Sequence, residues 1–437
     1  MSYPSTVAPT PNGEIASGAV SQKPMFQVKR GIKNASYLAL GNVVGQAISL
    51  IGFTYIARIL GPNDYGIYVT VGAFVGIFDV LLLGGMNKVI IREGSQDISS
   101  LHQALEGTIA VRSVLSVLAT VVCIICCFFT PYEFQTKLYI ALLSLQLAYT
   151  GLKGFLATIY QATQQMQYVA IFGVARHALC VCVSIILLSC GLGLLALFVT
   201  ALGSDLAAIL ITYKYSRSLV PFKFLSKLQF DWHLLKPALV FSLLGFMAFF
   251  VSRVDLLMIS LLGSAENVGV YGVAYKIAQQ GEILRNVCAV AFFPVFVKHF
   301  SREAVKSSVL TKYSLYFLGA ILVLTAVASL FVEALVVMVF GSQYEAAGNI
   351  LKVLIFYVGF SWASLPFTTA LQATHNERYL ILPVIVMGGL NVALNYVLFM
   401  EYGLIGIAYA TLVVMAASCF VCGVTAVWIL KRQGHLV

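Results

Sequence analysis

"LGPNDYGIY" ends one long apolar run at Leu60–Tyr68, and "LGSAENVGVY" ends another at Leu262–Tyr271. Each reads Leu-Gly, a short polar patch with one acid, then Gly-x-Tyr. A second echo follows: "QATQQMQY" at Gln161–Tyr168 and "QATHNERY" at Gln372–Tyr379. The first pair is offset by about 202 residues and the second by 211, in the same order. Two phrases repeated in register point to a duplicated unit.

The surroundings of these phrases set the solvent. Of 437 residues, 60% are hydrophobic and 10% charged; a soluble domain has about half and about a quarter. A water-facing surface cannot cover that excess, so the surrounding medium is lipid. Apolar runs of bilayer-crossing length fall at 36–57, 65–90, 107–130, 137–160, 168–190, 193–215, 237–262, 269–296, 313–338, 346–372, 379–400 and 402–430. They are continuous, unlike the alternating strands of a β-barrel. The expected fold is an all-α integral membrane protein of about twelve transmembrane helices, in two six-helix lobes. Six is even, so both lobes enter the membrane in the same direction, related by a pseudo-twofold axis along its normal. The boundaries are a disordered cytoplasmic tail (1–30), an N-terminal lobe (31–216), a cytoplasmic linker (217–236) and a C-terminal lobe (237–432). The first 24 residues are polar and carry no signal-peptide pattern. The Leu-Gly turns are expected as outer-face connectors, with glycines allowing positive φ and close approach. Tyr68 and Tyr271 are expected to anchor at interface depth.

The net charge of +10 raises the question of nucleic acid. Lys and Arg crowd alternate loops, however: Lys29, Arg30 and Lys33; Lys88, Arg92 and Arg112; Lys214 to Lys236; Lys298 to Lys312; Lys431 and Arg432. That asymmetry is the positive-inside signal, which puts both termini in the cytoplasm; no nucleic-acid partner is expected. Cys123-x-x-Cys126 and Cys419-x-x-Cys422 lie in apolar helices without His, so they read as buried small residues and not as a metal site.

The same phrases carry a family resemblance. "ARILGPNDYGIY" resembles the first-loop signature of Wzx-type polysaccharide flippases, in the multidrug/oligosaccharidyl-lipid/polysaccharide exporter superfamily. "VDLLMISLLGSAENVGVYGVAYKI" is similar to the family's seventh and eighth helices, with Asp255 at its recurrent acid. "VFGSQYEAAGNILKVL" and "NVALNYVLFMEYGLIGIAYATLV" resemble later segments, the last with Asn391, Asn395, Gly403, Gly406, Ala410 and Thr411 in place. The resemblance spans about 30 to 430. It implies two lobes around a central cavity and alternating access. The implied substrate is an undecaprenyl-diphosphate-linked oligosaccharide, moved from the cytoplasmic to the periplasmic leaflet of the bacterial inner membrane for O-antigen or other surface polysaccharide. Membrane lipid and polysaccharide assembly proteins are the other implied partners.

Five cations remain at membrane depth: Lys153, Arg176, Arg253, Lys276 and Arg285; the acids there are Asp79, Asp205, Asp255 and Glu282. Each costs about 2.5–3.5 kcal/mol at a helix centre on insertion scales, so each needs a cavity or a partner. A lipid diphosphate is a dianion that hydrocarbon cannot host, and the five cations are candidates to grip it, Arg by paired hydrogen bonds and Lys as a point charge. Mutual neutralisation of Glu282 and Arg285 at i, i+3 is the plainer reading of that pair, as snorkelling to the interface is for Arg176. Asp255 stands two residues from Arg253, on a nearly opposite face, and Lys153 has no acid nearby in sequence. Asp255 and Glu282 are candidate coupling or structural acids, for a proton or another cation. Tyr357, Trp362 and Gln372 make "FYVGFSWASLPFTTALQAT" a candidate glycan path, kinked at Pro366; helix packing through Ser and Thr is the alternative. No catalytic residue, metal ligand set or bound cofactor is expected. A drug/cation antiporter of the same superfamily is the nearest competing function. A membrane-embedded polymerase or glycosyltransferase lacks support, since no Asp-x-Asp or phosphate-loop motif occurs.

Overall fold

The computed structural model describes residues 24–83, 98–216, 252–300 and 307–432, with four positions between 242 and 249. The described residues are almost wholly helical and contain no strand. The helices are α1 (Pro24–Leu83), α2 (Ile98–Phe128), α3 (Phe134–Ala162), α4 (Met166–Ser189), α5 (Gly193–Ser216), α6 (252–262), α7 (Ala265–Phe300), α8 (Ser307–Phe340), α9 (Glu345–Ala363), α10 (Leu365–Ala373), α11 (Ile381–Tyr402) and α12 (Leu404–Arg432). Nine stretches of the described residues are long and apolar enough to cross a membrane. Side chains such as Val290, Leu330 and Phe420 are more than 70% exposed; lipid is the solvent that accepts them.

The first stretch, Ser36–Asp79, has 44 residues and would extend about 66 Å as one helix, twice a hydrocarbon core. It does not run straight. Gly61 leaves helical geometry at φ 75°, ψ 172°, and the rings of Phe53 and Tyr65 lie 5.8 Å apart. On a straight helix those residues would stand about 18 Å apart, so α1 is a hairpin of two passes. The corresponding turn between α6 and α7 spans Gly263 and Ser264. There the expectation of positive φ fails: Gly263 does not take a positive φ, in a phrase one residue longer than the first. Tyr271 is also not an interface anchor: it is fully buried and donates to Asp255.

Other boundaries shift. The first helix begins at Pro24, so residues 24–30, read as tail, are helical; residues 1–23 lie outside the described residues. The 65–90 run is helical to Leu83. Part of the 237–262 run, most of it before residue 252, and the whole 217–236 linker lie outside the described residues. Arg112, grouped with the basic loops, sits inside α2 and is buried. The tenth predicted helix divides at Ser364 into α9 and α10, with Pro366 in the first turn of α10, where its missing N–H costs least.

The repeat extends to the backbone. Gln164 and His375, fourth in each QAT phrase, adopt φ of 56° and 57° and are the two non-glycine residues with positive φ among the described ones. Around them Thr163 N bonds Ile159 O and Gln165 N bonds Tyr160 O; Thr374 N bonds Ala370 O and Asn376 N bonds Leu371 O. Gly193 and Gly403, opening the last helix of each half, have φ of 62° and 64°.

The two Leu-Gly turns also meet one another. A Cβ on Gly66 would lie 1.7 Å from the Ala265 carbonyl oxygen, and a Cβ on Gly269 would lie 1.9 Å from that of Pro62. Gly66 corresponds to Gly269, and Pro62 to Ala265. Reciprocal contact of this kind is what a twofold axis produces. A second reciprocal pair flanks it. The Tyr344 hydroxyl donates to Ala57 O at 2.9 Å, and the Tyr132 hydroxyl bonds Ser260 Oγ at 2.7 Å. Tyr132 and Tyr344 occupy matching places in "PYE" and "QYE", 212 residues apart, an echo the sequence reading passed over. The turns are written twice because each is the other's packing partner.

Candidate functional site

Below the paired turns lies a cavity of about 450 Å³, lined by both halves. The first half contributes both arms of α1, from Ser49 to Gly76, with Gln146, Arg176, His177, Ser184 and Phe198. The second contributes Phe249, Arg253, Leu256, Gly272, Tyr275 and Lys276. Glycines at 52, 72, 76 and 272 keep the wall thin where side chains would fill it. Six aromatic rings face the space, at Phe53, Tyr65, Tyr68, Phe198, Phe249 and Tyr275.

Three of the five membrane-depth cations are on this wall: Arg176, Arg253 and Lys276. The Arg253 guanidinium stacks over Phe249 and Tyr275, each 5.9 Å from the ring centroid. Among the described residues, neither Arg253 nor Lys276 has an acid within ion-pair distance. Arg176 does not snorkel. Its Nη1 lies 3.1 Å from Asp205 Oδ1, and its Nη2 lies 3.0 Å from His177 Nε2. Lys153 takes the other Asp205 oxygen at 3.0 Å, so the acid missing from its own neighbourhood arrives from α5. It lines a smaller crevice of about 170 Å³ between α3, α4 and α5, and not the central cavity.

Asp255 points the other way, into the second half. It is buried and accepts from Asn395 Nδ2 (2.7 Å), Thr411 Oγ1 (2.9 Å) and the Tyr271 hydroxyl (2.9 Å); Asn395 also reaches Asn391 Oδ1 at 3.1 Å. This nest joins α6, α7, α11 and α12 without a cationic side chain among the described residues. Glu282 and Arg285 do not form the expected local pair. Glu282 Oε2 accepts from Ser361 Oγ at 2.8 Å, while Arg285 Nε donates to Ser361 O at 2.8 Å. Both tie α7 to α9 and lie away from the cavity wall. The candidate glycan-path residues are not on that wall either. Trp362 Nε1 donates to Gly281 O at 3.1 Å, Tyr357 is half-buried, and Gln372 is exposed.

Asp205 and His177 were missed as organisers of the site. In the sequence Asp205 is one membrane-depth acid among four; its partners stand 52 and 29 residues away. A signal for the Asp255 nest was present, since Asn391 and Asn395 stand one turn apart in an apolar helix.

Residues 32–300 match the family described as polysaccharide biosynthesis protein. The chain belongs to that family. A relative in Haloferax volcanii, named "Probable low-salt glycan biosynthesis flippase Agl15", is 23% identical over 401 residues, covering 87% of this chain and 80% of that protein. Among solved structures, the lipid II flippase MurJ in an inward closed conformation matches with a TM-score of 0.69 at 12% identity, over 91% of this chain and 88% of MurJ. An inward-facing multidrug resistance MATE family transporter of the MOP superfamily matches with a TM-score of 0.69 at 14% identity, over 89% and 96% of the two chains. The family's membrane-transporter fold, read from the sequence as a resemblance, is thus the fold observed, and the chain is a multi-pass membrane protein.

Proposed function

We propose that the chain is a flippase for a lipid-linked oligosaccharide, an undecaprenyl-diphosphate-linked unit, carried across the bacterial inner membrane to its periplasmic leaflet for surface polysaccharide synthesis. The observation that carries this reading is the cavity shared by both halves, with Arg176, Arg253 and Lys276 around an aromatic wall. Two of those cations have no acid partner among the described residues, which suits a dianionic ligand and repels a cationic drug. Its volume is in the range of small-ligand pockets, room for a diphosphate and its first sugar. Aromatic faces suit sugar rings, and the polyprenyl tail is free to remain in lipid. The glycines of the two turns and the Tyr132 and Tyr344 bonds join the two halves at the turn end; parting them there while the other end closes would be alternating access. The loop charges support a cytoplasmic position for both termini, with the turn end then periplasmic. The Asp255 nest, four oxygen-bearing side chains around a carboxylate, fits a proton or a monovalent cation as the coupling ion.

The test is binding of farnesyl diphosphate to the purified chain in nanodiscs. Arg253→Ala combined with Lys276→Ala is expected to weaken it at least tenfold, as for the loss of two charge-assisted contacts of about 1.5 kcal/mol or more each, with the protein still folded. Undiminished binding overturns the reading.

A further inference from the structure

Hydrogen-bond chemistry fixes the protonation of His177. Its Nε2 lies 3.0 Å from Arg176 Nη2 and its Nδ1 lies 2.9 Å from Ser49 Oγ. A guanidinium is a donor only, so Nε2 accepts and carries no hydrogen. Nδ1 then holds the ring's one hydrogen and donates it to Ser49. The ring is the neutral imidazole, packed 3.4 Å from where a Cβ on Gly45 would stand. Arg176 is thus held from two sides, by Asp205 through Nη1 and by His177 through Nη2. Both Arg176 and His177 line the central cavity.

We infer that His177 is a positioning residue for Arg176: neutral, it holds the guanidinium back against Asp205; protonated at Nε2, it releases it to the anionic headgroup. The inference rests on the cavity being the headgroup site. A proton on Nε2 turns an acceptor into a donor facing another donor, so the bond to Arg176 is lost and two cations stand together. An anion between them relieves that repulsion. Proton binding and headgroup binding therefore favour each other, and the coupling is reciprocal.

The charged groups that face the ring are Asp205 from α5, Lys153 from α3, Lys276 from α7 and Arg176 from its own helix. The first arm of α1 offers the neutral Ser49 hydroxyl, while Asp79 on its second arm faces Lys153 and Asp205 behind the ring. Asp205 already faces two cations, one on each oxygen, so a charged imidazole would be a third positive group around one negative charge. The headgroup is the remaining counter-charge.

The experiment compares farnesyl diphosphate affinity at pH 8 and pH 6 in nanodiscs. His177→Gln places an amide oxygen where Nε2 was and cannot take a proton, and the probe's own titration is the same for both proteins. The wild type is expected to gain affinity at pH 6 relative to His177→Gln by about fivefold or more, the lower bound of ordinary coupling. An equal pH 6 to pH 8 ratio in the two proteins overturns the inference. Calorimetry of the wild type in buffers of different ionisation enthalpy gives an independent readout should the variant not fold. Proton uptake beyond the probe's own is expected, and its absence overturns the inference. Failure of the cavity reading is seen separately, as binding undiminished in Arg253→Ala with Lys276→Ala; that result overturns both.

Discussion

The two halves share a backbone and divide their polar groups differently. Asp255 corresponds to Phe53, counting from the Leu60 and Leu262 turns, and Tyr271 to Tyr68; Asn395 corresponds to Ser184 and Thr411 to Ala201, counting from the QAT phrases and from Gly193 and Gly403. In the second half those positions form a closed nest around a carboxylate. In the first half Phe53, Tyr68, Ser184 and Ala201 all line the cavity. The reverse holds for the ion cluster: Lys153, Arg176 and Asp205 correspond to Ser364, Met387 and Met415. The halves match in the frame, at the turns and the QAT phrases, where packing tolerates little change. Each charge stands in one half only, and a second buried acid or cation would add its desolvation cost.

The strongest way to break this comparison is at the paired glycines, where the halves are most alike. Gly66→Val and Gly269→Val are each expected to abolish transport, with a melting temperature lower by about 1–2 °C or more, as for a change of at least 1–2 kcal/mol. The cause is backbone less than 2 Å from each new Cβ. Thermal unfolding in detergent checks both. A large effect at one and none at the other would deny the reciprocal contact.

The two acids, Asp205 and Asp255, separate the halves where they are least alike. Asp205→Ala strands two cations and is expected to cost about 3 kcal/mol, the low end for breaking a buried ion pair because both partners are partly exposed. Adding Lys153→Met should return part of that loss. Asp255→Asn keeps the size and one acceptor, so its stability loss is expected to be about 1–2 kcal/mol, while any cation dependence of transport disappears. Denaturation combined with liposome transport at varied Na⁺ and pH distinguishes the pair; equal stability losses would erase the contrast.

The smallest expected effect is at the tyrosine bonds. Tyr132→Phe and Tyr344→Phe each remove one hydroxyl contact between halves, about 0.5–1.5 kcal/mol. Each should raise the population open at the turn end about two- to tenfold, read as faster labelling of a cysteine placed at Gly72 in the cavity wall. If only one of the two does so, the latch is not symmetric.

Length, apolar runs and the two echoes were enough to specify the membrane, the helix number per half and their parallel arrangement, because lipid allows only helices or closed barrels, continuous apolar runs select the helix, and helix length is set by bilayer thickness. The cations were legible too, since a charge in an apolar run stands out. Their roles were not. Lys153 is held by Asp205, 52 residues away, while Arg253 is left on the cavity wall with aromatic rings; along the chain the two look alike. The direction a side chain points, and which distant acid meets it, depend on how helices rotate and pack against one another. That packing is fixed by close approach at Gly66 and Gly269 and by buried contacts across the halves, which are properties of the assembled bundle and of no single segment.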